Sequence, residues 1–567
     1  MRLDENKKRK KRLLKEKYTE ENIKEIKKIS NEIDEMLFVP EYVLVVIEKN
    51  SQYIKIIREG LFINGHKYVR LLCGAGMARN NTVALIREDF EEELKINLEN
   101  GWNNQIKITD NKFNAYFALS STATWQIDDK SHPELIPNVL LIDDCEMKMT
   151  KKVDWVEDCE YEDIDDELRK LKNKSKISTQ NKELNFNFFD GSGAIDISAA
   201  KKWAEILELD YIPSVFILRN IYIKGCLFVV DFKKFAKEVA KKDKIKDLYG
   251  IEQTIQDKDI ILTKSMFKLW NAYESMEQYQ NFCNKYDNHW GVSRVSPKND
   301  DDYVTTNYQF LQALNMNQSD VEEICETTKD WLRGVSGLDR NYSMLFLMGN
   351  LASKYDTPEK TYNAISDYTL KALAIEPDMI NDPYIRQKLI TAINKKIKES
   401  YLGKLLVRGC FSTMIPDPYA FMEWAFSEGD ISKVHGLLKT LKNVQEIDNN
   451  GELCIVDEES EHYSRYWNNR NVSKAIGCRS PLTFRSECVK LNFIKNDLTE
   501  EWYQYINSGI IYNIWSNDCM LHADSDFDGD IVFTTDNPVF LRCKYYDELN
   551  NLPITYEKKT VEKHVIN

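Results

Sequence analysis

Leu521-His522-Ala523-Asp524-Ser525-Asp526-Phe527-Asp528-Gly529-Asp530-Ile531-Val532-Phe533 crowds four carboxylates into seven residues. Such crowding is unfavourable unless a cation sits among the charges. In a straight strand Asp526, Asp528 and Asp530 would share a face, but alternate residues lie about 7 Å apart, too far to share an ion. Mg²⁺ holds its oxygens at about 2.0 to 2.1 Å, so the chain must curl around it. Gly529 supplies the backbone freedom for that curl. A calcium loop of the EF-hand type competes, because Asp524, Asp526, Asp528 and Gly529 fill its first, third, fifth and sixth positions. Its twelfth position holds Thr535 where a bidentate Glu belongs, and Ile531 to Thr535 reads as a strand where the exiting helix should begin.

Upstream, the segment from Tyr211 to Phe232 is rich in β-branched and aromatic residues and reads as two strands, interrupted by Arg219 and Lys224. A cation inside an apolar strand needs an anionic partner, because burying it unpaired is costly. The alternative is an exposed sheet face that carries both cations into water. A further basic stretch, Ile261-Leu262-Thr263-Lys264-Ser265-Met266-Phe267-Lys268, follows. Between it and the acidic loop lies Gly477-Cys478-Arg479-Ser480-Pro481-Leu482-Thr483, a turn with one guanidinium. A guanidinium offers several fixed donors and suits hydroxyls and phosphate together; the other role for Arg479 is to brace its own turn.

Ala-Asp-x-Asp-Phe-Asp-Gly-Asp before a hydrophobic strand resembles the metal loop of the two-barrel RNA polymerases. These include the large subunits of cellular enzymes, the RNA-dependent polymerases of gene silencing and single-chain phage polymerases, and the wording here is most similar to the phage branch. The resemblance implies an α+β fold with two double-psi β-barrels joined by a helical connector, preceded by an N-terminal α/β region. It makes Asp526, Asp528 and Asp530 the metal ligands for Mg²⁺ in a two-metal mechanism, with Mn²⁺ able to substitute. Asp524 falls outside the triplet and is expected beside it. Pro213-Ser214-x-Phe216-x-x-Arg219 with Lys224-Gly225 is similar to the first barrel, whose cations approach nucleotide phosphates or the RNA end. Lys264 is expected as that barrel's second lysine, with Lys268 as fallback, and Arg479 as the residue that meets the nucleotide sugar, with Arg485 as stand-in. The implied activity is template-directed RNA synthesis from ribonucleoside triphosphates, with DNA favoured over RNA as template. Its rivals are a silencing-type RNA-dependent polymerase and a catalytically incomplete subunit that binds nucleic acid or assembles with a C-terminal polymerase partner.

The remaining chain sets bounds. At 567 residues several domains are expected. A net charge of −14 argues against a small module that coats DNA through a basic face, yet leaves room for a focused basic channel. Twelve cysteines without a Cys-x-x-Cys pair, and seven histidines, give no zinc spacing and no disulfide framework, so a reducing cytoplasm is expected, that of a bacterial host if a phage encodes the chain. No apolar run approaches the roughly 20 residues that cross a bilayer, and no membrane partner is expected.

Five segments are expected. Residues 1–185 form an N-terminal region with a basic arm, Lys7 to Arg12, a helix to about Met36, and a turn at Gly74 and Gly76 without P-loop chemistry, where Arg79 would face nucleic acid; its Lys151 to Lys182 stretch reads as a linker or surface helix. Residues 186–268 form the first barrel, entered by Asp190-Gly191-Ser192-Gly193, with Asp190 as a turn former and Ser198 as a helix N-cap. Residues 269–400 are the helical connector, with apolar spacing at Phe310, Ala313 and Leu314 and again at Ile365, Tyr368, Ala372 and Ile375. Residues 401–540 form the second barrel, including Asp417-Pro418-Tyr419, and residues 541–567 read as the lead into a missing C-terminal part.

Overall fold

The computed structural model describes most of the chain from Thr19 onward. Residues 38–40, 49–54, 73, 103–106, 161–172, 349–366, 448–452, 546–551, 557–563 and 566–567, with most of those before residue 19, lie outside the described residues. Most of the basic arm, Ile365 and the last stretch of the tail fall among these.

The chain divides into two units. The smaller gathers residues 1–122, 279–288 and 562–567. It holds the helix Glu20–Leu37 and a four-stranded antiparallel sheet in the order Tyr42–Val46, Thr82–Arg87, His66–Leu72, Leu61–Ile63. The glycine turn becomes a short helix, Ala75–Arg79, with Gly74 at its N-cap.

The larger unit is built on two sheets. In the first, seven strands run in the order Trp125–Gln126, Gly291–Val295, Val215–Asn220, Ile223–Val230, Ser192–Asp196, Ile260–Thr263, Val139–Ile142. Three of these lie outside residues 186–268, so the sheet recruits strands from both neighbouring segments. Val215–Asn220 and Ile223–Val230 are the two strands read from the Tyr211 to Phe232 run. They are buried almost throughout, as expected of a sheet covered on both faces.

The second sheet closes. The strands Leu453–Tyr463, Cys488–Phe493, Lys474–Arg479, Ile531–Thr535, Cys410–Pro416 and Ile510–Tyr512 pair in that order, and Ile510–Tyr512 returns to Leu453–Tyr463. The result is a six-stranded barrel. Between the two sheets lies one continuous core in which Phe421, on the helix Pro418–Phe426, meets Phe189 and Phe228 edge-on at 5.2 Å each.

Four expectations change. In its described residues the charged stretch around Lys151 to Lys182 is part of a long antiparallel ribbon, Glu146–Glu160 against Asn173–Asn187, and its residues 161–172 lie outside the described residues. Lys148 with Glu183 at 2.9 Å and Lys182 over the Trp155 ring exemplify the cross-strand pairs of this ladder, while Asp154 is buried and accepts from the Thr179 hydroxyl at 2.8 Å. Ile554–Tyr556 joins this ribbon in parallel, so that part of the tail is sheet. Among the described residues the connector is helical from Tyr308 onward, but Gly291–Val295 before it belongs to the first sheet. Finally, the helix entered after Asp196 is capped by Asp196 itself, which accepts from the Ser198 N–H.

Candidate active site

The acidic loop leaves the helix Asp518–Leu521, passes two left-handed residues, Ala523 and Asp524, and enters the strand Ile531–Thr535. Phe527 is its anchor, buried in the barrel core beside Val532 and Tyr512. With Phe527 pinned inward and Gly529 at φ +121°, the flanking carboxylates turn together. One oxygen each from Asp526, Asp528 and Asp530 lies within 4.8 Å of the others. Among the described residues this is the one such cluster of potential metal ligands. An all-carboxylate oxygen set is what a hard divalent cation selects, so the donors fit such an ion. Burial, then Asp528 and Asp530, push the Asp526 carboxyl up to about 7, and burial also raises Asp530. A cation would relieve the repulsion that this records.

The first sheet faces this loop with cations. Arg219 and Lys224 sit directly opposite each other across an antiparallel pair, where like charges repel unless an anion lies near. The Lys224 ammonium is paired with the Asp528 carboxylate. Arg219 gives one N–H to the Leu218 carbonyl at 2.7 Å, and its buried Nε–H has no partner among the described residues. Burial lowers its pKa, against the opposing pull of Asp528. Arg294, on the neighbouring strand, donates to the Gly529 carbonyl at 2.7 Å. Sequence reasoning missed Arg294, placing it in the helical connector. The signal was available, since Val292 and Val295 flank it as apolar strand residues flank Arg219.

Arg479 ends its strand and spans the loop, 2.9 Å from Asp530 Oδ2 and 3.1 Å from the His522 carbonyl. Its stand-in, Arg485, lies instead over the Tyr545 ring. The Asp190-Gly191 turn abuts the loop from the other side, with the Asp190 carbonyl accepting from the Phe527 N–H at 3.0 Å. Burial raises the Asp190 carboxyl, which has Lys268, Asp528 and Asp524 as charged neighbours. Lys264 is the residue that the structure does not bring to the triplet. Its ammonium is 3.0 Å from Asp143 Oδ1 and lies over the Trp270 ring, with Asp144 and Glu146 as its further charged neighbours. The reason is local: the strand Ile260–Thr263 ends one residue earlier, and Lys264 turns toward the adjacent Val139–Ile142 strand end while Lys268 turns back toward Asp190.

No helix among the described residues is long and apolar enough to cross a membrane. The chain is 26% identical over 541 residues to the DNA-directed RNA polymerase YonO of Bacillus phage SPbeta, covering 93% of this chain and 55% of that protein. Its fold is similar to the RNA-dependent RNA polymerase QDE-1 from Thielavia terrestris, with a TM-score of 0.50 at 12% identity, covering 89% of this chain and 50% of the other. The chain thus spans about half the length of the relatives it matches. The family of RNA dependent RNA polymerases matches residues 6–565, a span that includes both sheets and the loop, and the chain belongs to that family.

Proposed function

We propose that the chain carries the nucleotidyl-transfer centre of a DNA-templated RNA polymerase, making RNA from ribonucleoside triphosphates. The observation that carries this reading is the set of three convergent carboxylates met by Lys224, Arg219, Arg294 and Arg479. In this reading Asp526, Asp528 and Asp530 hold Mg²⁺. When bound, divalent cations make a 3′-hydroxyl a better nucleophile and steady the pyrophosphate that leaves the α-phosphate.

The protein side chains act around that chemistry. Lys224 and Arg219 place positive charge where the phosphates gain charge in the transition state, in a partly desolvated site that strengthens them. Arg219 suits an anion because burial already disfavours its charge and, among the described residues, no carboxylate pairs with it directly. Arg479 is fixed at both ends of the loop and directs its remaining donors to the nucleotide sugar. Lys268, rather than Lys264, is the better-placed second lysine of the first sheet.

The relatives carry both template types in their names, and DNA is favoured here by the phage relative, which matches at the higher identity. The test is incorporation of labelled ribonucleotides with Mg²⁺ on matched single-stranded DNA and RNA templates, using the chain and Asp528→Ala. Product on DNA that vanishes in the variant supports the proposal. Product on RNA alone would replace it with the silencing-type activity, and no product on either would leave a nucleic-acid-binding or assembly role.

A further inference from the structure

Behind the acidic loop lies a buried polar cluster that touches neither the triplet nor the facing cations through its side chains. Tyr512 and His522 are fully buried, and the Tyr512 hydroxyl is 3.3 Å from His522 Nε2. Burial holds the His522 ring at a pKa of about 4, so it is neutral at ordinary pH and its Nε2 can accept from the hydroxyl. Tyr512 is the cross-strand neighbour of His462, their rings edge-to-face at 5.1 Å. His462 Nε2 is in turn 3.0 Å from Asp518 Oδ2. Asp518 starts the helix that feeds the loop, and its carbonyl accepts from the His522 N–H at 2.8 Å.

His522 is therefore the last residue fixed before the chain enters its two left-handed positions, and its own carbonyl holds Arg479. Arg479 holds Asp530 at the far end. A chain of contacts thus runs from a rigid barrel strand to both ends of the carboxylate loop. Groups that orient metal ligands from behind in this way tune affinity without touching the ion.

We infer that the Tyr512–His522 pair is the positioning element of this centre, fixing the entrance of the acidic loop and, through the His522 carbonyl, the Arg479 guanidinium and Asp530. The inference rests on the metal-site reading above and deepens it. His522 is a positioning residue that acts through Arg479.

The test measures Mn²⁺ binding to the chain by loss of the free-ion paramagnetic signal, together with the thermal midpoint, for the parent, Asp528→Ala, Tyr512→Phe, His522→Leu and His522→Gln. Asp528→Ala should abolish binding. Tyr512→Phe removes one hydroxyl and keeps the ring, and should weaken Mn²⁺ about tenfold with little change of midpoint. His522→Leu should weaken it further, and His522→Gln, which restores a polar group toward Tyr512, should recover part of the loss. Parent-like Mn²⁺ affinity in Tyr512→Phe, or a lowered midpoint with unchanged affinity, would overturn the inference while Asp528→Ala still lacks binding. Retained binding in Asp528→Ala would instead remove the metal-site reading, and the inference with it.

Discussion

A side chain at position 191 would have nowhere to go. Gly191 has φ +71°, and a Cβ there would meet Asp528 Cβ at 2.5 Å. Gly191→Ala therefore combines a left-handed alanine, costing about 1 kcal/mol, with an overlap that only a shift of Asp528 can relieve. Single-turnover incorporation should fall at least about tenfold, as a misplacement of roughly an ångström at a reacting centre does. The thermal midpoint should fall only slightly. Parent-like incorporation would show that the turn does not set the position of Asp528. The lysines separate in the same assay. Lys224→Ala, which removes charge paired with Asp528, should slow incorporation by about a hundredfold, and Lys264→Ala, whose partner is Asp143, should stay within about threefold. At this scale the sequence was most legible where chemistry jarred with context: acids crowded together, or cations inside apolar strands. His522 gave no such signal, because its contribution to Arg479 is made by a backbone carbonyl that any residue possesses.

At the scale of elements the connector shows how a periodicity misleads. Tyr368, Ala372 and Ile375 have helical apolar spacing, and the helix Tyr368–Ile375 exists, but Tyr368 is 81% and Ile375 73% exposed. Its buried face is Thr369, Leu370 and Leu373, and Leu373 packs with Val335, Ile380, Ile385 and Leu389. Both faces of this short helix carry apolar residues, so spacing identified the helix without choosing its inner side. Leu373→Ala should cost about 2 to 5 kcal/mol in urea unfolding, whereas Ile375→Ala should stay within about 0.5 kcal/mol. Equal effects would reverse this assignment of faces. One strand of the closed barrel, Ile531–Thr535, was legible from its β-branched run. Its closure was not, because the ladder that closes it joins Ile510–Tyr512 to Leu453–Tyr463, strands far apart in sequence whose register no local pattern records.

At the scale of the larger unit, catalysis as proposed needs two sheets held at fixed separation, since the cations come from one and the carboxylates from the other. Phe421 supplies the apolar part of that junction. A polar seam runs beside it. The Ser214 hydroxyl accepts from the Asn507 and Ser508 N–H groups at 2.7 and 3.1 Å, and the Ser508 hydroxyl donates to Asp300 at 2.6 Å. Burial, opposed by the Ser508 bond and aided by Asp301, raises the Asp300 carboxyl from 3.8 to about 6. Between those values the folded protein keeps a proton that the unfolded chain has released. The stabilisation from Asp300 is therefore fully present below pH 3.8 and is lost as the pH rises to about 6, by at most about 3 kcal/mol. Asp300→Asn keeps an acceptor for Ser508 and cannot ionise. Its thermal midpoint should thus gain on the parent steadily from pH 4 to pH 7 and hold that advantage above. A midpoint difference independent of pH would mean that Asp300 ionises in the seam as freely as in water, and that the two sheets are not held there by a protonated carboxyl.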